Sequence, residues 1–135
     1  MKTECTFTVE EFSPADLRPE IETAVSCGVS HMVKRLEGAV EGRAITQFTA
    51  AFDHDAGVGT YLAMESFVGT VDGHPGAFNF AHSATTLGTA ERHHEFFVIV
   101  PGSGTGELAG IRGTGQLLID PDGTHRFVFD YDLDR

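Results

Sequence analysis

Apolar and polar residues alternate with a period of two along nearly the whole chain, and this restricts the fold more than any other feature. That period belongs to a β-strand with one buried face. Residues 3–12 put Cys5, Phe7 and Val9 on one side and Glu4, Thr6, Thr8 and Glu10 on the other. Residues 21–36 form a long β-type stretch with Val25, Cys27, Val29, His31 and Val33 together. Residues 43–52 line up Ala44, Thr46, Phe48, Ala50 and Phe52. Residues 60–71, 76–86, 95–100, 111–119 and 125–133 complete the set. A helical period of 3.6 persists nowhere beyond two turns. The only helix candidates are single turns near residues 14–17 and 107–109.

Turn signals recur every 8–14 residues, among them Asp72-Gly73-His74-Pro75 and Pro121-Asp122-Gly123. The chain is rich in glycine, 16 of 135 residues, against about 7% in an average protein. About eight strands in one domain spanning residues 1–135 predict an all-β fold, a sandwich or a small closed antiparallel barrel. An eight-stranded barrel has room for one small ligand in its lumen.

Charge removes other classes. Nine Lys and Arg against 20 Asp and Glu give a formal charge of −11. Such a field repels phosphate backbones and anionic membranes, so neither nucleic acid nor a membrane is an expected partner. No basic stretch followed by an apolar segment opens the chain, and its longest apolar run is residues 96–100, so a cytoplasmic location is expected. Cys5 and Cys27 form no CxxC and read as small buried hydrophobes, with a disulfide between them as the less favoured alternative.

Two side chains stand out chemically. Glu65 lies mid-strand on the face of Tyr61, Ala63 and Phe67, and His82 shares a face with Phe78, Phe80 and Ala84. A four-residue loop, 72–75, places Glu65 opposite His82. A two-residue loop, Asp72-Gly73, places it opposite Phe80. Either register keeps Glu65 and His82 on one face. A carboxylate and an imidazole among aromatic rings form an acid/base pair or, alternatively, a buried polar clasp. The run Gly102–Gly110, GSGTGELAG, lacks a following GK[ST] and a long helix, so it reads as a tight barrel-end loop rather than a phosphate cradle. Within it Glu107 is expected to cap the barrel mouth or bond to loop amides. The seven histidines include no HxH or HExxH, so no metal site is expected. His31, beside Val29 and Val33, and His94, beside Phe96 and Val98, are lumen candidates. Ser103 lacks the surroundings of a nucleophile elbow.

Three stretches carry a resemblance: residues 61–70 (YLAMESFVGT) with Asp72-Gly73, residues 76–82 (GAFNFAH) and residues 100–113 (VPGSGTGELAGIRG). Together they resemble a bacterial domain-of-unknown-function family with an allene oxide cyclase-like β-barrel. The resemblance implies a small antiparallel barrel, often oligomeric, without a bound cofactor. Related barrels, allene oxide cyclase and the dirigent proteins, control ring closure or coupling of reactive apolar intermediates. The expectation is a cofactor-independent cyclase or isomerase acting on a small apolar molecule in the lumen. Glu65 and His82 would orient or move a proton. Tyr61, Phe67, Phe78, Phe80, Phe48, His31, His94 and Glu107 form the expected substrate-binding set. Two alternatives stand beside it: a non-catalytic carrier or sensor of such a ligand, and a homo-oligomeric module whose barrel is filled.

Overall fold

The structure, a computed structural model, describes residues 1–133. Eight strands follow one another: β1 (Lys2–Pro14), β2 (Cys27–Gly38), β3 (Val40–Asp53), β4 (Val58–Val71), β5 (His74–Leu87), β6 (Arg92–Ile99), β7 (Ile111–Ile119) and β8 (His125–Leu133). Each pairs antiparallel with the next, and β8 returns to β1 to close the ring. The expected all-β antiparallel barrel is therefore present. Closure removes the exposed edges that an open sheet of this size would carry.

Local expectations met different fates. β2 begins at Cys27 rather than near residue 21, and residues 15–26 are an irregular connection. No turn of helix forms at residues 14–17, whereas a 3₁₀ turn forms at Gly106–Leu108. Cys5 is buried, but Cys27 is exposed at the start of β2, and both thiols are free. The reading of Cys27 as a buried residue is thus corrected. It follows the odd-numbered face of β2, which turns outward.

The β4–β5 hairpin turns through Asp72 and Gly73 alone. Both have positive φ, 48° and 85°, which suits the two-residue turn favoured by strand twist. Val71 therefore faces His74, and Glu65 faces Phe80. Two irregularities reset which residues point inward. One lies in β1 between Val9 and Glu11, so that Cys5 and Phe7 point in below it while Phe12 lines the interior above it. The other lies where β5 meets β6, between Ser83 and Thr85.

Half of the barrel is solid. Phe80 stacks on Phe97 at 5.2 Å and meets Phe127 and Phe129 edge-on, both at 5.2 Å. Phe67, Phe78, Leu36 and Ile99 join this core. Leu108, fully buried, plugs the end from the 3₁₀ turn. A Cβ on Gly104 would lie 1.9 Å from the Leu108 carbonyl oxygen, and one on Gly76 2.2 Å from that of Thr105. Only glycine allows the plug to seat this closely.

Strand lengths differ around the ring. β1 to β5 run for 12 to 14 residues, β6 to β8 for 8 or 9. The long strands overhang the short ones at the end away from Leu108. Between β6 and β7 only Val98–Thr114 and Ile99–Gly113 pair, so the two strands part towards that same end.

Candidate functional site

A cavity of about 500 Å³ occupies the overhanging end. Phe12, Met32, Phe48, Phe52 and Tyr61 are the large apolar and aromatic side chains of its wall. The space exists because Gly28, Ala50, Gly59 and Ala84 fill inward positions that large side chains occupy lower in the barrel. An apolar recess with few polar groups is the usual form of a small-molecule site.

Beneath it lies a hydrogen-bonded line of side chains. Glu65 is fully buried and accepts three bonds: from Lys34 Nζ at 2.5 Å, Thr46 Oγ1 at 2.5 Å and His82 Nε2 at 2.8 Å. His82 Nδ1 lies 2.8 Å from Tyr61 Oη, which also accepts from Arg92 Nη2 at 2.8 Å. Arg92 Nε donates to Glu95 at 2.8 Å. The line thus runs from the barrel centre to the inner end of the cavity, where Tyr61 and Arg92 form part of the wall.

The electrostatics fix the protonation pattern. Burial pushes the Glu65 carboxyl up, but the His82 hydrogen bond and the Lys34 charge outweigh it and hold it below its usual value. Burial lowers His82, and Glu65 only partly restores it, so the imidazole is neutral near pH 7. Burial also lowers Lys34 against the pull of Glu65. Burial raises Tyr61 despite the Arg92 hydrogen bond, so the phenol keeps its proton. A neutral His82 donating from Nε2 to Glu65 must accept at Nδ1, and the available donor there is the Tyr61 hydroxyl. The three side chains therefore form an orienting carboxylate, a base and a hydroxyl, in series.

The structure brings Glu65, His82 and Tyr61 into direct contact and puts Phe48 in the cavity wall, its ring edge-on to Tyr61 at 5.4 Å. Phe67, Phe78 and Phe80 share the interior but lie in the solid half. His31 is exposed, which corrects its placement in the lumen. The inward residues of β2 are Ser30, Met32, Lys34 and Leu36, because only that phase pairs Lys34 with the buried carboxylate. His94 is exposed too, with φ of 51° at the β6 irregularity, and so also lies outside the lumen. Glu107 lies exposed at the plugged end, not at the cavity mouth, with His74 Nδ1 at 3.1 Å. The 3₁₀ turn puts Leu108 inward and Glu107 outward.

Lys34, Thr46 and Arg92 were not singled out by the sequence. Lys34 has a sequence signal in its even-numbered spacing to Leu36, masked by the apolar odd-numbered face of the same strand. Arg92 was hidden because a break in alternation separates it from Phe97. Among the described residues, no three His, Cys, Asp or Glu side chains converge as a metal site would require, and no helix is long and apolar enough to cross a membrane.

No curated protein matches the sequence. Among solved structures, the chain is similar to a protein of unknown function from Shewanella oneidensis MR-1, of the DUF3224 family. The two are 26% identical with a TM-score of 0.87, over 100% of this chain and 98% of the other. The family described as protein of unknown function (DUF3224) matches residues 3–131. With a match that spans nearly every strand of the barrel, the chain belongs to the DUF3224 family.

Proposed function

We propose that the barrel takes up a small, largely apolar molecule at its open end and moves a proton on it, as a cofactor-independent isomerase or cyclase. The observation that carries this is the unbroken line from Glu65 through His82 to Tyr61 Oη at the inner end of an apolar cavity. As Tyr61 Oη takes a proton from an acidic carbon of the substrate, its own proton passes to His82 Nδ1. The imidazolium so formed faces the Glu65 carboxylate. Return of both protons, with the substrate's going to a different atom, leaves an isomer of equal mass and an unchanged enzyme. Arg92 stabilises negative charge at the Tyr61 oxygen during the transfer. The sequence resemblance to an allene oxide cyclase-like barrel supports the same reaction class.

The test is mass spectrometry of a bacterial small-molecule extract incubated with the protein. One species is expected to decline while another of identical mass grows. Tyr61→Phe removes the transferring oxygen with little change in shape and is expected to abolish the conversion, as is His82→Ala. Full conversion by folded Tyr61→Phe would sink the reading. A carrier is the second reading, favoured by the three donors already on Glu65, which suit a structural clasp. It predicts a species enriched on the protein and recovered unchanged.

A further inference from the structure

We infer that the molecule held in this cavity is an amphipathic anion, with an apolar body against the aromatic wall and a carboxylate or similar acidic oxygen group on Arg92. This rests on the reading of the cavity as a small-molecule site and names the chemistry of its occupant. Among the described residues, Arg92 is the one Lys, Arg, Asp or Glu in the cavity wall; the titratable side chain besides it and Tyr61 is the exposed His54. A guanidinium has five N–H donors in a planar fork suited to carboxylates. The Nε donor goes to Glu95 and one Nη2 donor to Tyr61, which leaves donors for a ligand oxygen.

Two further features favour a polar group at this place. Arg92 lines a second recess of about 360 Å³, the slot where β6 and β7 part, together with His82, Glu95 and Gln116. An apolar body in the cavity thus has a polar opening beside one end of it. Thr86 is the direct cross-strand partner of Arg92. Its Oγ1 is the buried side-chain polar atom without a hydrogen-bond partner among the described residues. A buried hydroxyl left unpaired calls for a physical reason. As cross-strand partners that both line the cavity, Thr86 and Arg92 share a face of the sheet, where an oxygen group seated on Arg92 would offer this hydroxyl a partner.

The whole-protein charge of −11 acts against an anion, which makes the inference sharp. Screening confines distant charges to roughly 8 Å at physiological salt, whereas a guanidinium in hydrogen-bond contact acts at full strength. Non-specific attraction would favour a cation. Glu95 offsets part of the Arg92 charge, so the expected preference is moderate.

Calorimetric titration of the full chain with three probes of one shape decides it: 2-naphthoate, 2-naphthalenemethanol and 2-naphthylmethylammonium. Naphthoate is expected to bind about tenfold tighter than the alcohol, and the ammonium weakest. In Arg92→Met the naphthoate advantage over the alcohol disappears, and Arg92→Lys keeps part of it. Equal binding of naphthoate and alcohol to the unmodified protein, or tightest binding of the ammonium, overturns the anion inference and leaves the cavity reading standing. This ranking needs no variant to fold. Failure of all three probes to bind, or binding that survives a blocking Ala50→Trp, overturns the cavity reading itself.

Discussion

The two halves of the barrel follow the same alternation of inward and outward residues, yet one is solid and the other hollow. In the plugged half the inward positions carry Phe67, Phe78, Phe80, Phe127 and Phe129, with Leu108 as a stopper. In the open half they carry Gly28, Ser30, Ala50, Gly59 and Ala84, with Phe48 and Phe52 at the wall. The polar line from Glu65 to Arg92 crosses the boundary. Hollowness is thus a matter of side-chain volume at a few inward positions. It is stabilised from below by a core that does not need the upper half to be filled. A binding end and a stability end can then vary separately on one continuous sheet.

The contrast predicts unequal responses to the same substitution. Phe80→Ala opens a cavity where rings meet on several sides and should lower unfolding free energy by about 4 kcal/mol. Phe48→Ala trims the wall of an existing hollow and should cost roughly 1 kcal/mol. Urea titration of both variants measures the gap, and equal losses would mean that the open half is packed in solution. At the boundary, Lys34→Met leaves the Glu65 carboxylate buried without its cation and should cost about 3 kcal/mol. The double variant Lys34→Met/Glu65→Leu should recover most of that. If the double variant is as unstable as the single one, the ion pair is not what makes the single change costly.

Acid should weaken the same boundary in two steps. The fold holds His82 neutral, whereas the unfolded chain protonates it as pH falls through its ordinary 6.5. The unfolded state then binds more protons, so stability declines below that pH. Glu65 is held below its ordinary 4.5, and its contribution is lost as pH falls from there through the folded value. Thermal melts from pH 8 to pH 3.5 should show both declines, and His82→Gln should flatten the upper one. A melting temperature that rises on acidification would contradict the neutral imidazole. The smallest effect belongs to the open half. Thr86→Val replaces an unpaired buried hydroxyl with a methyl group and should raise stability by roughly 0.5 kcal/mol. A clear loss would mean that the hydroxyl has a partner in solution.

Much of the fold was legible because strands announce themselves by parity. Eight runs of alternating residues separated by turns led to a sandwich or a barrel, and the family resemblance pointed to the antiparallel barrel. The same parity placed Glu65, His82 and Tyr61 on one face before any register was known. Parity does not say which of the two faces turns inward. In β2 the apolar odd-numbered residues suggested His31 and Cys27 inside. The structure turns Lys34 inward instead, because Glu65 needs its charge. An irregularity shifts parity by one residue without a compositional mark, so His94, expected in the lumen, lies outside it, while Arg92, to which the sequence reading gave no role, lines the cavity.

What the residues determined alone was therefore local and periodic: strand identity, a hairpin turn beginning at Asp72-Gly73 whose length stayed open, and a carboxylate and an imidazole on a shared face. These depend on backbone preference and side-chain alternation over a few neighbours. The tertiary structure decided the rest: ring closure between β1 and β8, the seating of Leu108, the inward phase of β2, and the Lys34 and Arg92 contacts at either end of the polar line. Each of these joins residues far apart in the chain. The energy of burying a charge beside its counter-charge, or a ring among rings, has a value only once the whole barrel has closed around it.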